Sequence, residues 1–149
     1  MEDIFIAGTI KTPEVKFNHL SGELILHGRS YPENGSKVYD PLLEWVNEYI
    51  KSPSKTTNIH LNLEYFNSTT LLWISKIIKS LGKIDQKGAS LYIHLYFDID
   101  DLESRDIAEL KDITSSFFDN KGPSGITISI ITHKIDNAGK DSIESTTLI

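Results

Sequence analysis

The stretch from Asn58 to Leu81 changes its hydrophobic period abruptly and constrains the fold more than any other part of the chain. Up to Phe66, apolar and polar residues alternate as in a strand with one buried face. From Leu71 onward, apolar residues recur every three or four positions, as in an amphipathic helix. The junction between them, Asn67-Ser68-Thr69-Thr70, consists of residue types that begin helices. The sequence therefore predicts a strand that passes directly into a helix.

Three adjacent hydroxyls, on Ser68, Thr69 and Thr70, then lie in the first turn of that helix. Backbone N–H groups at this position have no intrahelical partner and the helix dipole favours negative charge, so the site suits a phosphate. The alternative is that the residues serve only as a helix cap, which is worth about 1 kcal/mol relative to alanine. A cap explains one residue and leaves the run of hydroxyls unexplained.

The rest of the chain surrounds this unit with further strands and helices. Short apolar or alternating segments predict three strands before residue 30, with a hairpin turn near residues 19–22, and single strands at residues 90–97 and 126–131. Apolar residues at helical spacing predict one helix from Ser36 to just before Pro53 and another from Asp98 to Asp119.

The element order β-β-β-α-β-α-β-α-β predicts a single α/β domain. Its mixed sheet is expected to be antiparallel at the N-terminal side and to have helices packed on it. We place this domain at residues 1–132 and expect a polar, flexible tail over residues 133–149.

Composition limits the partners of this domain. The 149 residues are 39% hydrophobic and 24% charged, which suits one globular core. A net charge of -6 argues against nucleic acids and anionic membranes, because both require a basic surface. There is no cysteine, the first residues lack a signal-peptide pattern, and no apolar run approaches the roughly 20 residues that span a bilayer. We therefore expect a cytoplasmic location.

The helix after the junction has an unusual outer face. At about 100° per residue, most of its apolar residues fall on one side. The other side is polar and carries Ser68, Ser75, Lys76, Lys79 and Lys83. Leu72 lies in the middle of this polar side and Trp73 lies at its margin. A leucine among lysines and hydroxyls indicates an interaction surface, whereas the alternative is an isolated exposed apolar residue of the kind common in monomers.

Residues for catalysis or metal binding do not form recognisable patterns. The five histidines are scattered over separate segments, with no His-x-His or His-x-x-x-His pair. Ser68 lacks the flanking glycines of a nucleophile elbow, and no glycine-rich phosphate loop is present. The acidic run that begins at Asp98 can hold a cation but is also typical of a helix start. We expect no cofactor and no metal, and a small serine-dependent enzyme using Ser68 is a remote alternative.

Five short segments, taken together, resemble a known protein family. They are Gly8-Thr9, Thr12-Pro13-Glu14-Val15, Ser30-Tyr31-Pro32-Glu33-Asn34, Pro41-Leu42-Leu43-Glu44-Trp45, and Leu63-Glu64-Tyr65-Phe66-Asn67 followed by hydroxyls. Together they resemble the SiaC-type biofilm regulatory phosphoproteins, strongly over residues 1–70, more weakly to residue 131, and not in the tail. The resemblance implies a STAS-like fold, similar to that of anti-sigma-factor antagonists, in a protein that is not an enzyme.

The resemblance further implies a partner-switching module. In such a module a Ser/Thr protein kinase of the histidine-kinase-like ATPase type adds a phosphate and a PP2C-type phosphatase removes it. The unphosphorylated form binds and activates a diguanylate cyclase, the source of cyclic-di-GMP. The acceptor position of the family corresponds to Ser68, with Thr69 and Thr70 as alternative acceptors. Leu71 and Leu72 stand where the family usually has a small residue and a lysine, so the resemblance is to a divergent member.

We predict that the partner-binding surface combines the loop before the first helix with the polar junction and the helical turn that follows. Its residues are Tyr31, Pro32, Glu33, Asn34, Asn67, Leu72, Trp73 and Lys76. A phosphate at the helix start adds charge and bulk beside Leu72 and Trp73, and so expels a partner that packs there. The alternative within the same class is a STAS-like anti-sigma-factor antagonist that never meets a cyclase.

Overall fold

The computed structural model describes residues 1–98, 112, 126–136 and 138–147. Two helices are described, α1 (Gly35–Tyr49) and α2 (Ser68–Leu81). The described strands are β1 (Ile4–Ile6), β2 (Glu14–Asn18), β3 (Glu23–Ser30), β4 (Thr56–Phe66), β5 (Ser90–Asp98), β6 (Thr127–Ile135) and β7 (Asp141–Thr147).

The strands form one sheet in which the spatial order equals the chain order, from β1 to β7. The pairs β1–β2, β2–β3 and β6–β7 are antiparallel, whereas β3, β4, β5 and β6 run parallel to one another. Helix α1 connects β3 to β4, and α2 connects β4 to β5. Such crossovers are right-handed in nearly all proteins, and these two step in the same direction, so both helices pack on the same face of the sheet.

The core lies between the two helices and this face. Helix α1 buries Tyr39, Leu42, Trp45, Val46 and Tyr49, and α2 buries Leu71, Ile74, Ile77, Ile78 and Leu81. The central strands contribute alternate residues, including Leu24, Leu26, Ile59, Leu61, Leu91 and Ile93. Burying one such side chain stabilises the fold by about 1.5–3 kcal/mol. Neither α1 nor α2 is long and apolar enough to span a membrane.

The predicted α/β domain, with its mixed sheet and antiparallel N-terminal strands, is confirmed. Its STAS-like description stays a prediction. The helix predicted over residues 98–119 falls outside the described residues, apart from Asp98, which ends β5, and Asp112.

The C-terminal segment, predicted as a polar, flexible tail over residues 133–149, contains strand structure that was not predicted. Strand β6 continues to Ile135, and residues Asp141–Thr147 form β7, which pairs antiparallel with β6. The Asp136 carboxylate accepts the backbone N–H groups of Ala138 and Lys140, and Gly139 adopts a φ of 80°, which glycine tolerates best. A tight turn therefore adds a polar edge strand to the sheet.

Candidate functional site

The predicted junction between strand and helix is present, and Asn67 caps it. Strand β4 ends at Phe66 and α2 begins at Ser68. Asn67 has an extended backbone, and its Oδ1 accepts the backbone N–H of Thr70 at 2.9 Å. Because Asn67 fills the capping role, the hydroxyls of Ser68 and Thr69 are not needed for it.

The three junction hydroxyls differ sharply in accessibility. Ser68 and Thr69 are exposed, whereas Thr70 is 0% exposed. A kinase that acts on the folded protein therefore reaches Ser68 and Thr69 but not Thr70. The prediction of Thr70 as a further acceptor disagrees with the structure for this reason.

Thr70 instead belongs to a buried hydroxyl cluster that joins three elements. Its Oγ1 donates to the backbone carbonyl of Ser30, at the end of β3, across 2.8 Å. Ser30 Oγ lies 2.8 Å from Thr70 Oγ1 and 2.5 Å from Tyr39 Oη on α1. Burial raises the pKa of Tyr39, so its hydroxyl keeps its proton for this network. The cluster fixes the first turn of α2 against β3 and α1.

The beginning of α1 packs closely on the first turns of α2. A Cβ atom added at Gly35 would lie 2.8 Å from Thr69 Cγ2 and 3.1 Å from Trp73 Nε1. The Trp73 ring in turn stacks on Tyr39, with centroids 6.3 Å apart and planes inclined by 13°. Both helices therefore start at the same place, beside the exposed Ser68.

Ser68 heads a row of exposed residues that runs along α2 and ends just past the helix at Lys83; the row consists of Ser68, Leu72, Lys76, Lys79 and Lys83. Leu72 is 58% exposed, as the sequence predicts. Lys76 Nζ lies 4.5 Å from the centre of the half-buried Trp73 ring, in a cation–π contact. Ser75 does not belong to this row, because it is buried and its Oγ donates to the Leu71 carbonyl. Among the described residues, none of the row's three lysines forms an ion pair.

The loop between β3 and α1 lies beside the junction, as predicted. The backbone N–H of Asn67 donates to the Ser30 carbonyl at 3.1 Å, which ties the two segments together. Glu33 and Asn34 are exposed and Tyr31 is half-buried, but Pro32 is buried. Pro32 therefore shapes the loop and offers a partner little surface, contrary to its prediction as a contact residue.

Two loop residues have defined electrostatic partners. Glu33 forms an exposed ion pair with Lys11, with a nitrogen–oxygen distance of 2.8 Å, and this hydrogen bond lowers the pKa of Glu33. Asn34 precedes α1 but does not cap its backbone, because its Oδ1 accepts the Ser36 hydroxyl instead.

Tyr65 belongs to this surface and was not among the predicted contact residues. The pairing of β3 with β4 skips Glu64, so Arg29 lies opposite Tyr65 and the strand's alternation is interrupted. Tyr65 is 57% exposed and packs edge to face against Tyr31, with ring centroids 5.2 Å apart. The adjacent aromatic residues Tyr65 and Phe66, which break the alternation at the end of β4, are the sequence signal for this bulge.

A groove of about 620 Å³ adjoins the same loop. Its lining is mainly apolar, from Ile6, Pro13, Val15, Pro32, Val38 and Pro41, with Lys11, Lys37, Glu33 and Asn34 at polar positions. The groove extends the surface of the loop toward the N-terminal strands.

The described residues near Ser68 do not form a metal site, and no histidine lies beside its hydroxyl. No group of three or more metal-ligating side chains occurs within the part of the chain that the structure describes. The histidines have their own partners or lie apart from the junction. His19 bonds Asp3, His60 bonds Glu23, and His94 and His133 bond each other, while His27 is exposed on β3.

Comparison with known proteins gives a consistent result. A family model described as SiaC family regulatory phosphoprotein matches residues 6–119. An uncharacterized protein of Pseudomonas aeruginosa strain UCBPP-PA14 is 26% identical over 98 residues, which cover 66% of this chain and 78% of the relative.

Solved structures agree with the fold. Apo-SiaC from Pseudomonas aeruginosa superposes with a TM-score of 0.66 at 25% identity, over 75% of this chain and 92% of that one. A structure of the diguanylate cyclase SiaD in complex with its activator SiaC, from the same species, gives a TM-score of 0.67 at 24% identity. That match covers 88% of this chain and 100% of the other.

Proposed function

This chain belongs to the SiaC family of regulatory phosphoproteins, and from this premise we propose that phosphorylation of Ser68 controls its binding to a signalling partner. Its role is regulatory and not catalytic. The observation that carries the proposal is the exposure of Ser68 at the first position of α2, at the head of a row that includes the exposed Leu72.

Ser68 is the favoured acceptor for physical reasons. Its hydroxyl is exposed, and Asn67 already supplies the cap. A phosphate there carries about -1.5 to -2 charges and faces the positive end of the α2 dipole, which stabilises it. Thr69 is also exposed, but its methyl group is packed near Gly35, so Ser68 is the freer of the two.

The partner-binding surface surrounds this acceptor. Leu72 supplies an exposed apolar contact, and Lys76, Lys79 and Lys83 extend the row as positive charge on a protein whose net charge is -6. The Tyr31–Tyr65 pair adds an aromatic contact on the side of β4. Such a surface favours a partner segment that is both apolar and acidic, and a phosphate on Ser68 repels that segment.

We propose a diguanylate cyclase as the partner that the unphosphorylated form regulates. The support is family membership together with the structural likeness to a SiaC bound to the cyclase SiaD. A histidine-kinase-like ATPase kinase and a PP2C-type phosphatase complete the proposed cytoplasmic module. Leu72, one of the two positions that depart from the family pattern, is exposed at this surface and is expected to decide which cyclase is recognised, whereas Leu71, the other, is buried in the core.

Intact-mass spectrometry after incubation with the cognate kinase and ATP tests the acceptor. We expect one added phosphate on the wild-type chain and on Thr69→Ala, and none on Ser68→Ala. Phosphate that persists when Ser68 and Thr69 are both alanine would reject this assignment.

Titration of the purified cyclase tests the switch separately. Unphosphorylated protein is expected to bind, and Ser68→Asp or the phosphorylated form to bind at least roughly tenfold more weakly. Equal affinity of both forms would reject the switch. Capture of an anti-sigma factor in place of a cyclase would identify the antagonist alternative.

A further inference from the structure

The sheet face opposite α1 and α2, here called the far face, carries a cluster of aromatic and imidazole rings. It comprises His60 on β4, His94 and Tyr96 on β5, and His133 on β6. The rings of His60 and His94 stack with centroids 4.2 Å apart, and those of Tyr96 and His133 with centroids 4.0 Å apart. His94 and His133 are buried, at 9% and 6% exposure, which is unusual for histidine on a face that has no described helix.

Two chains of hydrogen bonds run through this cluster. In the first, His60 Nε2 lies 2.8 Å from Glu23 Oε2, and His60 Nδ1 lies 2.7 Å from Tyr96 Oη. In the second, Asn58 Oδ1 lies 2.7 Å from His94 Nε2, and His94 Nδ1 lies 2.8 Å from His133 Nε2. The second chain ends where His133 Nδ1 lies 2.7 Å from Asp141 Oδ2.

The three contacts of the second chain need three ring hydrogens, so one of its two histidine rings carries two. Asn58 Oδ1 can only accept, so His94 donates through Nε2. The Asp141 carboxylate lies against His133 and stabilises a positive charge there, so the His94 ring is the neutral one and accepts through Nδ1. His133 must donate to that nitrogen through Nε2 and to the Asp141 carboxylate through Nδ1. Both nitrogens of His133 therefore carry hydrogen, and the ring is an imidazolium paired with Asp141.

The surroundings of His94 agree with this count. Burial, followed by the positive charges of His60 and His133, lowers the pKa of His94 to about 4, so its ring is neutral near neutral pH. This agrees with placing the charge of the second chain on His133, beside the Asp141 carboxylate.

His133 and Asp141 connect two strands at the edge of the sheet. Asp141 is the first residue of β7 and lies opposite Ile135, near the end of β6. Residues 141–143 of β7 are exposed, and the contact between the His133 ring and the Asp141 carboxylate anchors the start of the strand. We propose that His133 and Asp141 form a proton-dependent latch that holds β7 on the sheet and releases its first residues when His133 loses a proton.

Loss of the proton weakens the latch because a neutral His133 has one ring hydrogen, whereas two acceptors, His94 Nδ1 and the Asp141 carboxylate, each need one. If it keeps the proton on Nδ1, the lone pairs of His133 Nε2 and His94 Nδ1 face each other. If it keeps the proton on Nε2, a lone pair faces the Asp141 carboxylate. Either arrangement loses a hydrogen bond and leaves a repulsive contact in a buried site.

The other titratable groups facing His133 do not share this behaviour. Tyr96, stacked on its ring, has a pKa raised by burial and by Asp141 and Glu23, so it stays protonated. His60 lies between Glu23 and Tyr96, and its two hydrogen bonds do not require a second ring hydrogen, because the Tyr96 hydroxyl can either donate or accept. Among the described groups of the cluster, His133 is the one whose proton is structurally required.

Nitrogen-15 NMR of the histidine side chains tests the proton count. Near pH 6 we expect His133 as an imidazolium and His94 as the neutral Nε2–H tautomer. A neutral His133 with His94 protonated on Nδ1, the pattern that a reversed Asn58 amide would give, would overturn the proposal.

Hydrogen exchange of the β7 amides, corrected for the intrinsic pH dependence of exchange, tests the release. On raising the pH from about 5.5 to 8.5, protection of β7 is expected to fall roughly tenfold, as for loss of one charged hydrogen bond. Asp141→Asn and His133→Gln are expected to abolish this pH dependence. Asp141→Asn changes an exposed position and is expected to fold.

His27→Gln, which removes an exposed histidine on β3, is the matched control and is expected to retain the pH dependence of β7 protection. Protection that is independent of pH in the wild type, or pH dependence that survives Asp141→Asn, would overturn the latch.

Discussion

At the scale of residues, Asn67 and Ser68 divide two roles that adjacent polar residues often share. Asn67 accepts the Thr70 N–H and is half-buried, whereas the Ser68 side chain is exposed and its hydroxyl has no described hydrogen bond. One residue therefore holds the helix and the other is available for modification.

This division predicts different effects of alanine at the two positions. Asn67→Ala is expected to lower the free energy of unfolding by about 1 kcal/mol, because a helix cap is lost. Ser68→Ala is expected to change it by less than about 0.5 kcal/mol. Urea denaturation followed by circular dichroism measures both. Equal losses would show that Ser68 also stabilises the helix end.

The three hydroxyls show what sequence could and could not predict at this scale. The residue types and the change of period predict a capped helix start, and the structure confirms it. Nothing local distinguishes Thr70 from Ser68, since the burial of Thr70 depends on Ser30 and Tyr39, which lie 40 and 31 positions earlier in the chain. Long-range contacts of this kind have no local pattern.

His94 gives the fold a pH dependence of predictable sign. Its pKa is lowered from 6.5 to about 4, so between these values the unfolded chain binds a proton that the folded chain does not. The free energy of unfolding therefore falls as the pH is lowered through this window, and His94 has no such effect above it. We expect a loss of about 1–2 kcal/mol, after allowing for partial solvation of the ring.

Denaturant unfolding at several pH values between about 4 and 7 checks this effect. His94→Gln is expected to remove most of the slope, while His27→Gln serves as the control that keeps it. If the free energy of unfolding of His94→Gln falls with pH as steeply as that of the wild type, groups other than His94 cause the fall.

At the scale of elements, the contact between α1 and α2 depends on the missing side chain at Gly35. A Cβ there would meet Thr69 Cγ2 at 2.8 Å, so Gly35→Ala is expected to destabilise the protein by about 1–3 kcal/mol through overpacking. Thr69→Ser removes that methyl group and is expected to recover part of the loss in the double variant. Thermal or urea unfolding of the four proteins in the cycle gives the coupling. If the effects of Gly35→Ala and Thr69→Ser on the free energy of unfolding simply add, the contact with the Thr69 methyl group is not the cause of the destabilisation.

The lysines of the exposed row on and just after α2 predict an electrostatic contribution to partner binding. Lys79→Glu combined with Lys83→Glu is expected to weaken binding of the unphosphorylated protein to the proposed cyclase partner by roughly tenfold, without changing the proposed phosphorylation of Ser68. Lys55→Glu combined with Lys140→Glu makes the same change in net charge away from α2 and is expected to have little effect. Calorimetric titration distinguishes the two pairs, and equal weakening by both would reduce the effect to net charge.

Element prediction succeeded where burial imposes a period and failed where it does not. Helices α1 and α2 each bury one face, so their apolar spacing predicts them within a few residues. Strand β7 is a polar edge strand whose described side chains are exposed, so no alternation of apolar residues reveals it. Its signals are the turn residues at 136–139 and the β-branched Ile143, Thr146 and Thr147.

At the scale of the molecule, the sheet separates the proposed acceptor from the proposed latch. Ser68 and the row that runs along α2 lie on the helical face, and His133 and Asp141 lie on the far face at the β7 edge of the sheet. The two devices share no described contact and are expected to act independently.

Removal of β7 tests this independence. A chain that ends after Lys140 is expected to fold, with a free energy of unfolding lower by about 1–3 kcal/mol because the strand's hydrogen bonds are lost. Its phosphorylation on Ser68, followed by intact mass over time, is expected to match the full chain. A folded truncation that is no longer phosphorylated would show that β7 contributes to recognition by the kinase.

The agreement between strand order and chain order bears on how the protein is made. In many α/β sheets the first strand is central, and later strands must be added on both sides of it. Among the described strands here, each new strand pairs with the one before it, so its neighbour has already left the ribosome. The sheet can therefore grow in one direction during synthesis, and the segment that contains α1, α2 and Ser68 can pack before β6 and β7 emerge.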